Sequence, residues 1–392
     1  MLEAIVAVCG DWGIGANGTQ SVVVSADRKH FREVTGGSTV IVGRKTLADF
    51  PGGKPLPKRR NIVLTTQTLS VPGAEVAHTV GEALSLAGEG RCFVIGGESV
   101  YKALFPHIDR VFVTKLDVIP HSDAFFPDLD ADPDWEVTDA GTEQTDENGV
   151  KFRFMVYERR LSPLLQKARE KLMADPVTNA AALNAIARRS LRVHYVGDEG
   201  LVACDEVGRL WYGLGSVAAQ LPELDAVRLF VADSAALADA AAQKYGLTRI
   251  EEYRIFSYLG SEAPAIENPK LQLGAPAPED DLSVFHFLCS EDDRKELEHD
   301  IREGRFFVGH DAEGHLVGSC GINPDTSLGM LEILPAFRRM GYAEALEGYT
   351  VRQILAMGLI PNGQVAPDNT ASAALQCKLG MTEGGRLWFV WP

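Results

Sequence analysis

The sequence has too little positive charge for a protein that binds nucleic acid or an acidic membrane surface. Lys and Arg number 38 against 54 Asp and Glu, which gives a formal net charge of −16. Such a surface repels phosphate backbones and anionic lipid head groups. We therefore expect small-molecule substrates, with no nucleic acid and no membrane as partner. The sequence leaves the oligomeric state open.

Targeting and membrane-spanning signals are also missing. The first four residues, Met1 to Ala4, contain no basic residue. No apolar run approaches the ~18 residues that a transmembrane helix needs. From these absences we expect a cytoplasmic protein.

Metal and disulfide patterns are absent too. The six cysteines form no C-x-x-C pair and no cysteine–histidine set at zinc-ligand spacing. The nine histidines form no H-x-x-x-H or H-E-x-x-H arrangement. We predict a reduced protein without a metal site.

What is present is a chain long enough for several domains. Its 392 residues correspond to roughly two or three domains of ordinary size. In residues 1–160, short β-rich runs alternate with helix-compatible stretches. This alternation is typical of an α/β domain with a largely parallel sheet.

The second half of the chain contains a weak internal repeat. Two strand-to-helix passages end in the same Lys-x-Gly-x-Thr pattern, at Lys244–Thr248 and at Lys378–Thr382. Chance similarity between Ala-rich helices is the alternative, but the matched endings favour a duplicated module. A stretch rich in proline and acidic residues separates the copies. We predict an α+β lobe at 161–262, a linker at 263–281 and a second α+β lobe at 282–392.

Two strand ends in the first domain are suited to binding phosphate. Gly43 and the pair Gly96-Gly97 each follow an apolar strand and precede a predicted helix. Glycine lets a ligand come close to the backbone N–H groups of a helix start, although ordinary strand-to-helix turns are the alternative. The G-x-G-x-x-G match at 13–18 is rejected, because the largely β-branched residues at 21–24 predict an extended loop instead of a helix.

Asp27 stands out among the acidic residues. It begins a predicted helix, one turn before Phe31 on the same face. A carboxylate on an apolar face is costly unless it is paired. Asp27 is therefore either a helix N-terminal acid or a functional carboxylate, and the residues alone leave both interpretations open.

Residues 1–160 resemble dihydrofolate reductase. The motifs that carry the resemblance occur in the family's order and are Ala4-Ile5-Val6-Ala7, Trp12-Gly13-Ile14-Gly15, Ala26-Asp27-Arg28-Lys29-His30-Phe31, Val42-Gly43-Arg44-Lys45-Thr46, Pro55-Leu56-Pro57-Lys58-Arg59-Arg60-Asn61, Val94-Ile95-Gly96-Gly97-Glu98-Ser99-Val100-Tyr101 and Phe126-Pro127-Asp128. The resemblance implies a doubly wound sheet and NADPH-dependent reduction of 7,8-dihydrofolate to tetrahydrofolate. A flavin-pathway aminouracil reductase with the same fold is the alternative, but Asp27, Phe31 and Arg59 favour folate.

The resemblance also implies roles for individual residues. Asp27 would bind the pterin ring with help from Thr114, and Arg59 would pair with the folate glutamate. Burial would have to raise the pKa of Asp27 toward neutrality. The pterin and benzoyl pocket would be lined by Ile5, Ala7, Phe31, Phe50, Leu56 and Ile95. NADPH would be held by Ile14, Gly15, Gly43, Arg44, Lys45, Thr46, Thr65, Thr66, Gly96, Gly97, Glu98, Ser99, Val100 and Tyr101, with Arg44 near the 2′-phosphate.

The predicted active-site loop departs from the family pattern. Where most members carry Pro-Trp and then Leu-Pro, this sequence has Ser21-Val22 and Val24-Ser25. The tryptophan that would cover the pterin is therefore missing. This leaves the rate and the preferred pteridine open.

A second constellation lies near the C-terminus. An apolar strand that ends near Leu334 is followed by R-x-x-G-x-A at Arg338–Ala343 and by a predicted helix. Backbone N–H groups converge there, and glycine and alanine leave room for a pyrophosphate. The pattern is weak by itself, but a strand, Asn369 and a helix ending in glycine follow it.

Together these features resemble the GNAT N-acetyltransferase superfamily. The resemblance implies acetyl-CoA as acyl donor, Glu332 as general base and Asn369 on the pantetheine side. Acetyl-CoA would be bound by Leu334 and, at its pyrophosphate, by Arg338, Arg339, Met340, Gly341, Tyr342 and Ala343. Gln376 stands where a general-acid tyrosine is often found. The lobe at 161–262 lacks both motifs and is predicted to be a degenerate copy.

The sequence thus predicts a dihydrofolate reductase fused to an N-acetyltransferase whose acceptor is unknown. Two alternatives stay open. The missing tyrosine favours a CoA-binding or structural module without catalysis. The missing tryptophan favours a pterin- or nucleotide-sensing domain that regulates an acetyltransferase.

Overall fold

A computed structural model describes residues 2–88, 90–264, 268, 270–288 and 290–392. The chain divides into two compact units, Met1–Arg160 and Leu161–Pro392. No helix in these described ranges is both long and apolar enough to cross a membrane.

The first unit alternates strands with short helices. Its strands are β1 (Leu2–Val8), β2 (Gly13–Gly15), β3 (Thr39–Gly43), β4 (Arg60–Leu64), β5 (Glu75–Ala77), β6 (Cys92–Val94), β7 (Ile108–Leu116), β8 (Ala124–Phe125), β9 (Trp135–Ala140), β10 (Gln144–Thr145) and β11 (Lys151–Arg159). Its α-helices are α1 (Ser25–Thr35), α2 (Arg44–Asp49), α3 (Val80–Ala87) and α4 (Glu98–Leu104).

A nine-stranded sheet forms the centre of the first unit. The strands β7, β1, β6, β3, β4 and β5 are parallel neighbours in that order, and β11 pairs with β7 in the antiparallel sense. Strands covered on both faces are apolar throughout, and every residue of β3 is buried. The α/β fold predicted for this region is confirmed.

The second unit contains the remaining elements. Its strands are β12 (Leu191–Gly197), β13 (Gly200–Asp205), β14 (Leu210–Gly215), β15 (Phe230–Ala232), β16 (Arg249–Ser257), β17 (Gln272–Gly274), β18 (Phe306–His310), β19 (Leu316–Ile322), β20 (Ser327–Ile333), β21 (Asn362–Val365) and β22 (Thr382–Trp391). Its α-helices are α5 (Pro163–Leu172), α6 (Ala180–Ala187), α7 (Ala235–Tyr245), α8 (Glu291–Arg302), α9 (Tyr342–Ala356) and α10 (Thr370–Lys378).

Side-chain caps explain where several of these helices begin. Ser162, Ser234 and Asn369 each accept a backbone N–H from the first turn of α5, α7 and α10. Ser290 and Asp293 form a capping box at the start of α8. Each cap satisfies a backbone donor that the helix itself leaves unpaired.

One continuous eleven-stranded sheet runs through both predicted lobes, in the order β12-β13-β14-β15-β22-β16-β21-β20-β19-β18-β17. The final strands of the two lobes are exchanged. β22 pairs with β15, β16 pairs with β21, and β16 and β22 pair with each other in the antiparallel sense. The predicted repeat is thus present as β15-α7-β16 and β21-α10-β22, but each copy completes the sheet of the other.

The two copies differ at the place where a phosphate site was predicted. The helix α9, 15 residues long, connects β20 to β21. The connection from β14 to β15 contains only a short 3-10 turn, Ala218–Gln220. The lobe at 161–262 therefore has no helix start at the position that Arg338–Ala343 occupies in the other lobe.

The segment predicted to be a linker, 263–281, takes part in the sheet. Its residues Gln272–Gly274 form β17, which pairs with β18 at the edge. Residues 265–267 and 269 of this segment lie outside the described residues. The prolines Pro276 and Pro278 follow the strand, and an edge position tolerates prolines nearby because one side of the strand needs no partner.

Candidate functional site

The residues predicted to bind pterin and nucleotide lie at the edge of the first unit's sheet that is formed by the carboxyl ends of its parallel strands. Gly43 lies opposite Leu64 in the register of β3 and β4, and Leu64 lies opposite Ala77 of β5. Thr65 follows Leu64, and Gly96 follows β6 closely. The carboxyl ends of neighbouring parallel strands are where open α/β sheets bind ligands.

Asp27 and Thr114 meet at this edge. The Thr114 hydroxyl, on the buried face of β7, donates a 2.6 Å hydrogen bond to Asp27 Oδ1 in the first turn of α1. Burial raises the pKa of Asp27, against the opposing effects of the bonds from Thr114 and Gln20 and the charge of His30. The result is a partly buried carboxyl group that holds a proton more readily than an ordinary aspartate does.

The apolar residues predicted to line the pterin pocket lie beside this carboxyl group. Five of them belong to one packed cluster with the β-strand core, and these are Ile5, Phe31, Phe50, Leu56 and Ile95. Ala7 is partly buried and lies opposite Thr114 in the register of β1 and β7. The predicted set therefore shares one location.

Arg59 is held by uncharged acceptors. Its Nε donates to Thr35 Oγ1 at 2.8 Å and its Nη1 to the Pro57 carbonyl at 2.9 Å, and the guanidinium lies 5.7 Å from the centre of the Phe31 ring. Within the described residues it makes no ion pair with a carboxylate. Its charge is oriented and available for an anionic group of a ligand.

The two glycine turns lie against each other. Gly43 N–H donates to the Gly96 carbonyl at 2.7 Å, and the Gly96–Gly97 peptide is cis. A Cβ on Gly97 would lie 2.8 Å from Thr46 Oγ1, and a Cβ on Gly43 would lie 2.9 Å from Val100 Cγ2. Glycine at these positions thus lets the two turns pack closely against each other and against the starts of α2 and α4.

Three other residues predicted to bind NADPH make hydrogen bonds or ion pairs within the protein. Tyr101 is buried, and its hydroxyl donates to the Ile5 carbonyl at 2.7 Å, which ties α4 to β1. Glu98 pairs with Lys102 at 2.7 Å. Gly15 lies in β2, where its carbonyl accepts from Asp123 N–H at 3.0 Å. These bonds hold α4 and β2 in place beside the glycine turns.

His78 and Gln67 were not predicted from the sequence. His78 Nδ1 lies 3.0 Å from the Thr65 carbonyl oxygen, and the Thr65 hydroxyl accepts from Gln67 N–H at 3.2 Å. His78 directly follows β5, so the edge rule that selects Arg44 and Thr65 would also have selected it.

The altered loop before α1 is packed by its valines. Val24 is the N-cap residue of α1 and is buried, and with Val22 it packs near Cys9, Leu116 and Phe152. Small apolar side chains thus fill the place next to Asp27 where the family pattern has larger residues.

In the second unit, β20 and β21 pair at their first two residues and then separate. They pair only at Ser327–Asn362 and Leu328–Gly363, and the rest of each strand is open toward the other. β20 leads to Gly341, which has a left-handed φ of 79° and precedes α9 directly. Arg338 is fixed by donating to the Ile333 carbonyl at 3.0 Å. A wedge between strands thus ends at a helix start with two arginines beside it, Arg338 and Arg339.

The predicted base and pantetheine contact already have protein partners. Glu332 Oε2 accepts from His286 N–H at 2.8 Å, and its Oε1 contacts the His286 ring. Asn369 accepts from Ser372 N–H at 3.0 Å as the N-cap of α10. His286 was missed by sequence reasoning because it lies in an irregular segment far from Glu332 in the chain.

Gln376 pairs with a buried acid that was also missed. Its Nε2 donates to Glu347 Oε1 at 2.6 Å, between α10 and α9. Glu347 is 3% exposed, and burial raises its pKa to about 7. Glu347 Oε2 and Gln376 Oε1 have no hydrogen-bond partner among the residues that the structure describes. Protonation of Glu347 lets its second oxygen donate instead of remaining an unpaired acceptor.

Comparisons with known proteins match each unit separately. The family model described as dihydrofolate reductase matches residues 1–159, and the one described as FR47-like protein matches residues 307–389. A dihydrofolate reductase of Bacillus subtilis (strain 168) is 33% identical over 165 residues, which are 41% of this chain and 96% of the relative. One of Staphylococcus haemolyticus is 34% identical over 139 residues, 35% of this chain and 82% of the relative. A solved dihydrofolate reductase from Enterococcus faecalis, complexed with NADP(H) and RAB-propyl, is 31% identical with a TM-score of 0.38, covering 41% of this chain and 97% of that one.

Proposed function

The chain belongs to the dihydrofolate reductase family through residues 1–159 and carries an FR47-like domain at 307–389, and from this premise we propose two activities in one polypeptide. The first is NADPH-dependent reduction of 7,8-dihydrofolate to tetrahydrofolate. The second is acetyl transfer from acetyl-CoA to an amine.

The observation that carries the reductase proposal is the Asp27–Thr114 pair beside an apolar cluster. Thr114 orients the Asp27 carboxyl group, which binds the N–H groups of the pterin ring. The cluster around Phe31 and Leu56 covers the apolar faces of pterin and benzoyl group. Arg59 pairs with the glutamate carboxylate.

NADPH would lie along the glycine turns at Gly43 and Gly96-Gly97, each at the start of a helix, and it supplies the hydride when bound. Arg44 and Lys45 at the start of α2 offer positive charge to its phosphates. The pKa of Asp27 is raised by burial, so this carboxyl group holds a proton more readily than an exposed aspartate, and a proton donor here favours the protonated imine that accepts hydride.

The test is NADPH oxidation that depends on dihydrofolate. We expect Asp27→Asn to remove most turnover, because the amide cannot hold the proton. Glu33→Gln is the matched control, since Glu33 is an exposed carboxylate on the same helix. Equal turnover of Asp27→Asn and the control would contradict the proposal.

The acetyltransferase proposal is supported by the wedge between β20 and β21 and by the helix start at Gly341. The pantetheine arm would lie in the wedge, where unpaired strand backbone can bond to it. The pyrophosphate would lie against backbone N–H groups at the start of α9, next to Arg338 and Arg339. A CoA-binding module without catalysis is the second candidate, and the Gln376–Glu347 pair in place of a tyrosine favours it.

Binding and turnover separate these two candidates. Gly341→Glu places a carboxylate at the proposed pyrophosphate position and should abolish acetyl-CoA binding in calorimetry. Gly304→Glu is the control, because Gly304 is another left-handed glycine with open space around it. Release of free CoA in the presence of amines supports catalysis, and binding without release supports the module.

A further inference from the structure

A cavity of about 650 Å³ lies within the second unit, on a face of its sheet where the exchanged strands meet. One wall is aromatic and is made by Tyr253 of β16 and by Phe389 and Trp391 of β22. Asp325, just before β20, and Leu328 of β20 also line the cavity. Residues from both lobes are therefore needed to build it.

Asp325 is the acidic side chain of this cavity. It is 9% exposed. Its Oδ1 accepts from Ser327 Oγ at 2.6 Å and from Ser327 N at 3.0 Å, and its Oδ2 accepts from Gln364 Nε2 at 3.2 Å. These bonds fix the carboxylate, but among the described residues it has no cation partner.

A second buried carboxylate lies near Asp325. Asp205 lies nearby, fully buried and paired with Arg188 at 2.8 Å. Tyr212 is buried in β14, and its hydroxyl has no hydrogen-bond partner in the part of the chain that the structure describes. The charges of Asp205 and Asp325 add to burial in raising the pKa of Tyr212. The guanidinium of Arg188 is bound to Asp205, so a bound cation could pair with the Asp325 carboxylate.

The cavity reaches the closed end of the wedge between β20 and β21. Leu328 and Gln364 line it, and Leu328–Gly363 is the last pair before the strands separate. From Leu328 to Leu334 the strand extends about 20 Å, comparable with an extended pantetheine arm. With the pyrophosphate at Gly341, the thioester would lie near Leu328.

We propose that this cavity is the acceptor site of the acetyltransferase and that it takes a primary ammonium with a flat apolar body. The proposal rests on the acetyl transfer proposed above. The ammonium group lies at Asp325, and the body packs on Tyr253, Phe389 and Trp391. Arg228, exposed at the rim, disfavours a cation there and so directs the charged end inward.

The transfer step is balanced by the groups present. The ammonium loses one proton to water, which frees the lone pair of its nitrogen. The free amine nitrogen attacks the thioester carbonyl carbon, and the new C–N bond forms as the C–S bond breaks. A second proton passes from that nitrogen to the CoA thiolate, so the products are an acetamide and free CoA.

The experiment is fluorine NMR on the full chain with para-fluorophenethylamine and its neutral analogue, para-fluorophenyl ethanol. We expect the amine to bind at least about tenfold more tightly than the alcohol. Asp325→Asn keeps the acceptor for Ser327 and should reduce amine binding to the level of the alcohol. Asp239→Asn, which removes an exposed carboxylate on α7, should change nothing, and Tyr253→Leu should weaken both ligands.

The outcomes separate this inference from the acetyltransferase proposal, because binding is measured without acetyl-CoA. Amine-selective binding that depends on Asp325, followed by CoA release when acetyl-CoA is added, supports both. Equal binding of amine and alcohol, no binding of either, or unchanged binding in Asp325→Asn overturns the acceptor site. Failure of acetyl-CoA itself to bind overturns the acetyltransferase proposal and with it the role of the cavity as an acceptor site. Amine-selective binding that depends on Asp325 would then still show an ammonium-binding cavity.

Discussion

Tyr253 of β16 lies opposite Leu387 of β22, in the antiparallel ladder that joins the final strands of the two lobes. β22, from the second lobe, pairs with β15 of the first lobe, and β16, from the first lobe, pairs with β21 of the second. Neither lobe has its complete sheet without the other. The second unit is thus one folding unit with two similar halves.

This exchange predicts that core damage in one lobe is transmitted to the other. Phe230 is fully buried in β15, opposite Val390 of β22. Phe230→Ala should cost about 3–5 kcal/mol and reduce hydrogen-exchange protection in β19 and β20 as well as in β14. Phe93→Ala, in the core of the first unit, is the control. Protection of β19 and β20 that stays at the wild-type level in Phe230→Ala would contradict the single folding unit.

Removing the Thr114 hydroxyl should shift the pH profile of the reductase upward. The Thr114 bond lowers the pKa of Asp27 while burial raises it. Thr114→Val therefore leaves a higher pKa, and the fall of kcat/KM with rising pH should move to higher pH. A bond to a charged group is worth about 1.5–3 kcal/mol, so kcat/KM at neutral pH should also drop by about ten- to a hundredfold. A downward shift or an unmoved profile would count against the assigned pair.

Glu347 should make the second unit less stable as pH rises from 4.5 to 7. Its folded-state pKa is about 7 against 4.5 for an ordinary glutamate, so its stabilising contribution is complete below pH 4.5 and is lost as pH rises through 7. The total loss is about 3 kcal/mol in unfolding free energy. Denaturant unfolding of Glu347→Gln should lack this slope. Glu296→Gln, an exposed change on α8, should retain it, and a slope shared by all three proteins would refute the assignment.

Arg59→Ala should raise KM for dihydrofolate about tenfold or more, with a small change in kcat, because the guanidinium binds the glutamate and not the reacting ring. A dihydropterin without a glutamate should be reduced equally well by both proteins. Arg32→Ala, an exposed neighbour whose backbone carbonyl accepts from Arg59, is the control. An equal loss with both substrates would show that Arg59 acts through the pocket structure.

The sequence predicted the first unit well because its strands are continuous apolar runs and its motifs are local. The exchange of β16 and β22 could not be predicted. Both strands follow the same Lys-x-Gly-x-Thr ending and both are rich in aromatic residues, so nothing local determines which half each one completes.

The same reasoning explains which site residues were missed. Glu347 lies within α9, and its burial depends on the packing of α10 and β19 against that helix. His286 reaches Glu332 from an irregular segment without a motif. Asp325 is one of many acids in the sequence, and only the meeting of two lobes encloses it. These sites are formed by contacts between segments that are distant in the chain, so no local sequence pattern predicts them.

The central claim is that one chain holds two independent sites, and a crossed assay tests it most directly. Purified full-length wild type, Asp27→Asn and Gly341→Glu would each be measured for dihydrofolate-dependent NADPH oxidation and for acetyl-CoA binding. We predict that Asp27→Asn loses only oxidation and that Gly341→Glu loses only acetyl-CoA binding. Loss of both properties in either folded variant, or loss of neither, would contradict the account.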